Sequence, residues 1–361
     1  MLNVFGPCNL LGTGIHCMNL AKAYEDLGNE VCLIPPFGQV SFQDERIKIW
    51  MERRTMFTPK DPSIMIFDIP FFAQFSGTPR MGFAVFETDG FTPLQKQMLR
   101  SVDMVLTPSD WGLRVLEQNG IKSIRVVPEG FNPDIYFEDP SLKPHGSVKF
   151  VHVGKYEARK GTVETLKCFC EALQNCEAEL LMQVSNPFAK PPYTALLNIL
   201  SSYGFKSLDG ATFMSRGLKV MFMAPNQPFE TMRVIYQGAD CGIFPYRGEG
   251  FGLPLLECIA CGTPVIAGNW TGPSEFLGAD YPDALSLKKA SFIPANDGVW
   301  YHGDRGNWYV PDEGELAEKI RWAYDAIRSF RQSEAWKIKL RSITESFTWN
   351  KAALKLKEIL P

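Results

Sequence analysis

The sequence of 361 residues lacks several features that would place it quickly in a protein class. None of its apolar stretches approaches the ~18 residues of a membrane-spanning helix, and the opening MLNVFGP lacks the pattern of a signal peptide. It has no long basic block, and its formal net charge of −3 disfavours a dedicated nucleic-acid binder, although a local basic groove is compatible with it. We therefore expect a cytoplasmic protein, for which peripheral contact with the inner face of a membrane stays open.

Metal-ligand and disulfide patterns are also missing. The four histidines are dispersed, and no Asp-x-Asp sequence or histidine cluster predicts a catalytic metal. The nine cysteines are scattered, and Cys258 and Cys261 lie in an apolar helical pattern without the second pair that a zinc site needs. We expect reduced thiols and no metal. His152 falls inside an apolar strand pattern and is expected to be a hydrogen-bonded core residue.

What the sequence does contain is an alternation of strand-length apolar runs and helical patterns in two halves. The first half predicts strands at 2–5, 31–34, 63–67, 81–86, 104–107 and 124–127, and the second at 149–153, 180–184, 219–223, 241–244 and 263–267. The polar segment 138–147 between them is typical of a linker. We predict an α/β protein with two Rossmann-like parallel-sheet domains, 1–140 and 148–344, which face each other across a ligand-binding cleft.

The most informative motif is GEGFGLPLLECIACGTPV at residues 248–265. It places Glu249 and Glu257 on either side of a glycine-rich turn, with Pro254 expected at the first position of a helix and Glu257 in its first turn. Backbone N–H groups at such a helix start can bind an anion, and a carboxylate can accept from both hydroxyls of a vicinal diol. The motif predicts a pocket for a nucleotide sugar. The competing interpretation is an ordinary turn in which Glu257 stabilises the helix N-terminus.

Together with other segments, this motif resembles the retaining glycosyltransferases of GT-B type, and within them the family-four branch. The other segments are the N-terminal glycine loop, TPSDWGLRVLEQNGI, VVPEGFNPDIYF, VHVGKYEARKG and FTWNKAA, in that order along nearly the whole chain. The resemblance implies a C-terminal helix at about 345–361 that crosses back to the first domain. It also implies a first domain that binds the acceptor and a second that binds the donor.

The resemblance assigns roles to residues of the second domain. Arg159 and Lys160 match a basic pair that clamps the donor diphosphate, and cations at that point would stabilise the charge that grows on the leaving group. Glu249 matches a contact to the donor sugar and Glu257 a contact to the ribose. Donor contacts are also expected from Gly250, Phe251, Gly252 and Leu253, from Pro225 and Asn226 near the base, and from the first-domain loop Gly12, Thr13 and Gly14.

The departure from the family lies in FAVFETDGFTP of the first domain, where many members carry a histidine. Glu87 and Asp89 put carboxylates there, either as catalytic or acceptor-binding groups or merely as part of a capping turn around Asp89-Gly90. A late aromatic loop with Trp300, Tyr301, Trp308 and Tyr309 is expected either to stack on a sugar or to be buried.

We therefore predict a metal-independent, retaining transferase that moves a sugar from a UDP or GDP donor and uses no cofactor beyond this co-substrate. The expected acceptor is a glycan, glycolipid or small molecule, with nucleic acid disfavoured. Three alternatives remain: a phage-type DNA glycosyltransferase, a non-catalytic nucleotide-sugar-binding subunit, and an epimerase or phosphorylase of similar architecture. The last would usually show a different catalytic constellation, such as a cofactor lysine or a histidine-rich cleft.

Overall fold

The computed structural model describes residues 1–38, 40–41, 44–139, 141–142, 144–186, 194–224 and 227–360. Its first half is built on a parallel sheet in the order β2-β1-β3-β4-β5-β6. These strands are β1 Leu2–Phe5, β2 Val31–Ile34, β3 Ser63–Met65, β4 Arg80–Phe83, β5 Met104–Thr107 and β6 Ile124–Val126. Most of their residues are buried, as continuous apolar strands in a sheet covered on both faces should be.

The helices of this half follow the strands in turn. They are α1 Gly12–Asp26, α2 Glu45–Glu52, α3 Pro93–Leu99 and α4 Asp110–Gln118. Local capping explains where three of them begin. Asp44 and Ser109 accept backbone N–H groups of α2 and α4, and Thr92 forms a capping box with Gln95 at the start of α3.

The second half is built on a larger sheet in the order β14-β13-β12-β7-β8-β11-β10-β9. Its strands are β7 Val148–Lys155, β8 Ala178–Ser185, β9 Lys206–Ser207, β10 Thr212–Ser215, β11 Leu218–Phe222, β12 Cys241–Phe244, β13 Val265–Gly268 and β14 Ser286–Leu287. The pairs from β14 to β11 are parallel, whereas β10 and β9 extend the edge antiparallel. We call the two sheets with their helices the first and second domains.

Helices cover the second sheet as in the first. They are α5 Thr162–Ala172, α6 Thr194–Ser202, α7 Phe229–Gly238, α8 Leu253–Ala260, α9 Ser274–Leu277, α10 Glu313–Arg331 and α11 Glu334–Ser346. His152 lies fully buried in β7, where its ring nitrogens meet the carbonyl of Ile243 at 2.7 Å and the hydroxyl of Thr162 at 3.0 Å. The prediction of a satisfied core histidine is confirmed, and burial lowers its pKa to about 4.

The chain returns to the first domain at its end. The last helix, α12 Trp349–Ile359, packs on α1, and the backbone N–H of Phe131 donates to the carbonyl of Phe347 at 3.1 Å. The predicted crossing of the C-terminal helix is therefore confirmed. The first sheet ends at Val126 and the second begins at Val148, so the division predicted between 140 and 148 falls in the connecting segment.

The main difference from the prediction is an antiparallel hairpin between the second sheet and α10. Its strands are β15 Ala290–Asn296 and β16 His302–Pro311. The sequence predicted an aromatic loop here, because β15 is almost entirely exposed and lacks the apolar alternation of a half-buried strand. Helix α2 was also missed, and α1 begins at Gly12 rather than Ile15. Among the described residues, no helix is long and apolar enough to cross a bilayer.

Candidate active site

Arg159 and Lys160 lie at the carboxyl edge of the second sheet, in the short 3-10 helix Ala158–Lys160 that follows β7. Gly161 comes next with a φ of +62°, a conformation that favours glycine, and it is the N-cap of α5. Only 7% of Arg159 and 6% of Lys160 is exposed. The two cations are therefore not a solvated surface pair.

Glu249 brings one carboxylate to both cations. Its Oε1 lies 2.5 Å from Nη1 of Arg159 and 2.6 Å from Nζ of Lys160, and the side chain is itself buried. The backbone of Glu249 is fixed by Thr271, whose Oγ1 accepts its N–H at 3.2 Å, and by the N–H of Gly272, which donates to its carbonyl at 2.9 Å. This cluster joins the loops after β7 and β12, because those strands are neighbours in the sheet.

Burial and opposite charge act against each other on the two cations. Burial alone would lower the pKa of Arg159, but the nearby carboxylates, Glu249 first among them, raise it well above its ordinary value. Burial lowers the pKa of Lys160, and Glu249 offsets only part of that effect. We therefore expect Arg159 to be a permanent cation, whereas the charge of Lys160 depends on the anion beside it.

The turn after Glu249 presents backbone N–H groups at the start of a helix. Gly252 has a φ of +102° and is the N-cap of α8. Within the described part of the chain, the N–H groups of residues 250–253 donate to no protein acceptor. The side chain of Phe251 belongs to the core instead, with its ring 5.3 Å from that of Phe276. This turn has the geometry of an anion site.

Helix α8 begins one residue earlier than the sequence predicted, which corrects two positions. Pro254 is the second helical residue, and Glu257 lies in the second turn rather than the first. Because the influence of the helix dipole falls off within the first turn, Glu257 is not a helix-terminal charge stabiliser.

Glu257 lies in a different environment from Glu249. Its carboxyl group is buried and accepts hydrogen bonds from the phenols of Tyr136 and Tyr236. Burial raises its pKa to about 8, although both phenols act in the opposite direction. Tyr136 comes from the segment that connects the domains, so this second end of the motif also lies at a domain junction.

The first domain reaches the cations through Glu87. One oxygen, Oε1, lies 3.5 Å from Nη2 of Arg159, and the side chain is 25% exposed. Asp89 instead faces the hairpin, where its Oδ1 accepts from the backbone N–H of Asn307 at 2.5 Å and from Nδ2 at 3.2 Å. Of the two predicted carboxylates, the structure thus brings Glu87 to the donor-side cluster and Asp89 to the hairpin.

The first domain also touches the turn of the motif directly. A Cβ atom at Gly248 would overlap the carbonyl oxygen of Glu87, and one at Gly250 would overlap the side chain of Val85. Glycine is required at Gly248 because the backbone of Glu87 approaches it so closely, whereas the overlap at Gly250 would be with a side chain. The cleft is closed at this point.

Three further predicted residues, Gly12, Thr13 and Gly14, form the first turn of α1 rather than a loop before it. Gly14 packs against Asn9, and Ile15 makes the first regular helical bond, to Leu11. Among the described residues, no hydrogen bond or ion pair joins 12–14 to Arg159 or Glu249. The predicted base contacts Pro225 and Asn226 lie outside the described residues.

The sequence patterns did not identify Lys155 and Glu157 as members of this cluster, nor Asn307, which lies outside it on the hairpin; Tyr301 was named, but only as a residue that stacks on a sugar or is buried. Glu157 is buried between Nε of Arg159 at 3.1 Å and Nζ of Lys155 at 3.0 Å, and the surrounding cations lower its pKa despite its burial. Tyr301 and Asn307 reach Glu87 and Asp89 from the hairpin. Lys155 and Glu157 stand within VHVGKYEARKG and could have been noticed as charges beside the predicted pair, but no local pattern identifies the contacts that Tyr301 and Asn307 make with the first domain.

Within the described ranges, no group of three or more His, Cys, Asp or Glu side chains is placed to hold a metal ion. The acidic side chains at the cluster face cations instead: Glu249 faces Arg159 and Lys160, while Glu87 and Glu157 face Arg159.

A family model described as glycosyl transferases group 1 matches residues 147–326, which hold the second sheet, the hairpin and most of α10. An O-antigen chain mannosyltransferase B of Escherichia coli is 41% identical over 78 residues. That match covers 20% of this chain and 20% of the relative.

Solved structures resemble the chain over nearly its full length. Sucrose-phosphate synthase from Thermosynechococcus elongatus has a TM-score of 0.70 at 16% identity, over 99% of this chain and 97% of that one. Anabaena Alr3699/HepE, solved with UDP and glucose, has a TM-score of 0.67 at 14% identity, over 99% of both chains. The chain therefore has the GT-B fold of glycosyltransferases. Its second domain matches the glycosyl transferases group 1 family, and the comparisons support a glycosyltransferase.

Proposed function

We propose that this protein transfers a sugar from a nucleoside-diphosphate sugar to an acceptor hydroxyl in the cleft between its domains. The observation that carries the proposal is the buried cluster of Arg159, Lys160 and Glu249 beside the open N–H groups of 250–253. Cations and N–H groups suit a diphosphate, and a carboxylate between them suits sugar hydroxyls.

The donor diphosphate would take the place that the Glu249 carboxylate now holds on the two cations. Arg159 and Lys160 are already desolvated, so an anion that replaces Glu249 meets charges that water does not screen. Glu249 would then be free to accept from hydroxyls of the donor sugar. Glu257, kept largely protonated at neutral pH by its raised pKa, would meet the ribose as either donor or acceptor.

We further propose that transfer retains the configuration of the anomeric carbon and needs no metal. Arg159, Lys160 and the helix start would stabilise the departing diphosphate, and its oxygen would take the acceptor proton on the same face of the sugar. Glu87, the first-domain carboxylate nearest Arg159, would orient the acceptor hydroxyl. The anomeric configuration of the product, read by NMR, tests retention, and activity in excess chelator tests the absence of a metal requirement.

The donor is proposed to be a UDP- or GDP-sugar, and the acceptor a glycan, glycolipid or small molecule. The Anabaena structure with UDP and glucose shares the fold and supports UDP as the first donor to test. Thermal-shift measurements against UDP-, GDP- and ADP-sugars identify the base, because a ligand that binds the folded state raises the melting temperature by mass action. A panel without any shift would contradict the proposal.

Mutation of the cluster tests the chemistry. We expect Arg159→Ala and Glu249→Gln each to lower kcat about 10²- to 10³-fold, the usual cost of losing one group that stabilises developing charge. Lys288→Ala is the matched control, because Lys288 pairs with Asp283 and both side chains are exposed. Near-normal turnover in both cluster variants would refute the assignment, and donor binding without transfer or hydrolysis in the wild type would identify a non-catalytic subunit.

We place the reaction in the cytoplasm, with a peripheral membrane contact if the acceptor is a glycolipid. Co-sedimentation with vesicles that carry anionic lipid tests the membrane contact. Binding to neutral and anionic vesicles alike at background levels would refute it.

A further inference from the structure

The hairpin of the second domain contacts the acidic turn of the first domain at two points. The hydroxyl of Tyr301 donates to Oε2 of Glu87 at 2.7 Å. A short distance along the hairpin, the backbone N–H and the side-chain amide of Asn307 donate to Asp89. Gly306 lies so close to the acidic turn that a Cβ there would overlap Asp89 and Gly90, and a Cβ on Gly90 would lie only 3.1 Å from the backbone of Gly306. The hairpin therefore docks on this turn along its length, not through one isolated contact.

Tyr301 is held in place by its own surroundings. Its ring lies 4.8 Å from that of Trp308, which is fully buried, and the Arg305 guanidinium lies 5.8 Å from the ring on another side. Burial, and then the Glu87 charge, raise the pKa of the phenol well above its ordinary value. The hydroxyl therefore keeps its proton and remains a donor throughout the physiological range.

Glu87 connects this phenol to the donor-side cations. While Oε2 accepts from Tyr301, Oε1 faces Nη2 of Arg159. The remaining guanidinium nitrogens of Arg159 are held by Glu157 and Glu249. A glutamate on a loop has several rotamers of similar energy, so a fixed donor on one oxygen decides where the other oxygen points.

We propose that Tyr301 is a positioning residue, which fixes the Glu87 carboxylate at the reaction centre when the two domains close. The inference rests on the proposed transfer reaction and on the role of Glu87 in it. Because Tyr301 belongs to the second domain and Glu87 to the first, the contact exists only in the closed arrangement. The hairpin thus couples closure of the cleft to completion of the site.

A double-mutant cycle tests the proposal. Tyr301→Phe keeps the ring that packs on Trp308 and removes only the hydroxyl. We expect it to lower kcat about 10- to 100-fold, the effect of losing a hydrogen bond to a charged group, with the donor KM within about twofold. In a Glu87→Gln background the same change should alter kcat less than about twofold, since the group it positions is already altered.

Asn307→Ala is the matched control, because it removes the side-chain amide that contacts Asp89 and leaves Glu87 untouched. We expect its kcat within about twofold of the wild type. Melting temperatures of all variants report folding. Tyr301→His keeps a hydrogen-bond donor, so we expect it to retain more of the wild-type kcat than Tyr301→Phe. This second variant keeps the proposal testable if Tyr301→Phe is poorly folded.

The outcomes separate the two proposals. If the wild type transfers no sugar from any donor, the proposed function fails and the role of Tyr301 falls with it. If the wild type transfers sugar, an equal loss from Tyr301→Phe in both backgrounds, or a loss from Asn307→Ala as large as that from Tyr301→Phe, overturns the positioning role alone.

Discussion

The two ends of the motif 248–265 carry the same kind of side chain in opposite environments. Glu249 meets two buried cations within 2.6 Å. Glu257 is as deeply buried but meets two phenols, and burial raises its pKa to about 8. The charge of Glu249 is therefore balanced by the cations beside it, whereas the buried surroundings of Glu257 disfavour its charged form.

The difference teaches that the spacing of a motif does not assign the protonation of its members. Both positions resemble those of family glutamates, yet only one lies beside the basic pair. Glu249 acts together with the loop after β7, and Glu257 with the segment that connects the domains. Three changes would sharpen or break this contrast.

The largest effect should come from removing the charge of Glu249. Glu249→Ala leaves Arg159 and Lys160 buried without their shared carboxylate, and we expect a loss of about 3–5 kcal/mol in the free energy of unfolding, measured by urea denaturation. The control is Asp283→Ala, whose exposed pair with Lys288 should not affect the midpoint. A loss no larger than that of the control would mean that Glu249 does not hold the cations in the fold.

Glu257→Gln should change the free energy of unfolding by less, but in a way that depends on pH. Between the ordinary pKa of 4.5 and the raised value of about 8, the folded state holds a proton that the unfolded state releases. Wild-type stability should therefore fall as the pH rises through this window, whereas the variant lacks this contribution. We expect the stability of the variant relative to the wild type to increase by about 1–4 kcal/mol from pH 5 to pH 8. A pH-independent difference would show that Glu257 ionises normally.

The smallest effect should come from Tyr136→Phe, which removes one of the two phenols on Glu257. We expect a loss of about 1 kcal/mol in unfolding free energy, as for a typical hydrogen bond. Because that phenol favours the charged carboxylate, its loss should also raise the pKa of Glu257 further and extend the pH window upward. Tyr236→Phe is the companion variant, because Tyr236 lies in the same domain as Glu257, whereas Tyr136 lies in the segment that connects the domains. If neither variant changes stability or the pH window, the phenols do not influence Glu257.

Much of the fold could be predicted because it depends on local patterns. Continuous apolar runs such as Val31–Ile34 and Met104–Thr107 are typical of buried parallel strands, and the structure has strands at those residues. The hairpin could not be predicted in the same way, since β15 exposes all but one of its residues and pairs with β16, while Tyr301 and Asn307 of the hairpin contact the first domain. The helix starts were off by one to three residues at α8 and α1, where the N-cap residues Gly252 and Leu11 provide no side-chain cap.

By itself, the sequence determined the two-domain α/β architecture and the neighbourhood of Arg159, Lys160 and Glu249. Each lies just after a strand, and the carboxyl ends of parallel strands meet at one edge of a sheet. Only the tertiary structure decided that Glu87 faces Arg159 while Asp89 faces the hairpin, and that Glu257 is buried between phenols. Those outcomes depend on which distant segments close over each carboxylate, and burial and neighbouring charge, not sequence position, set the state of an ionisable group.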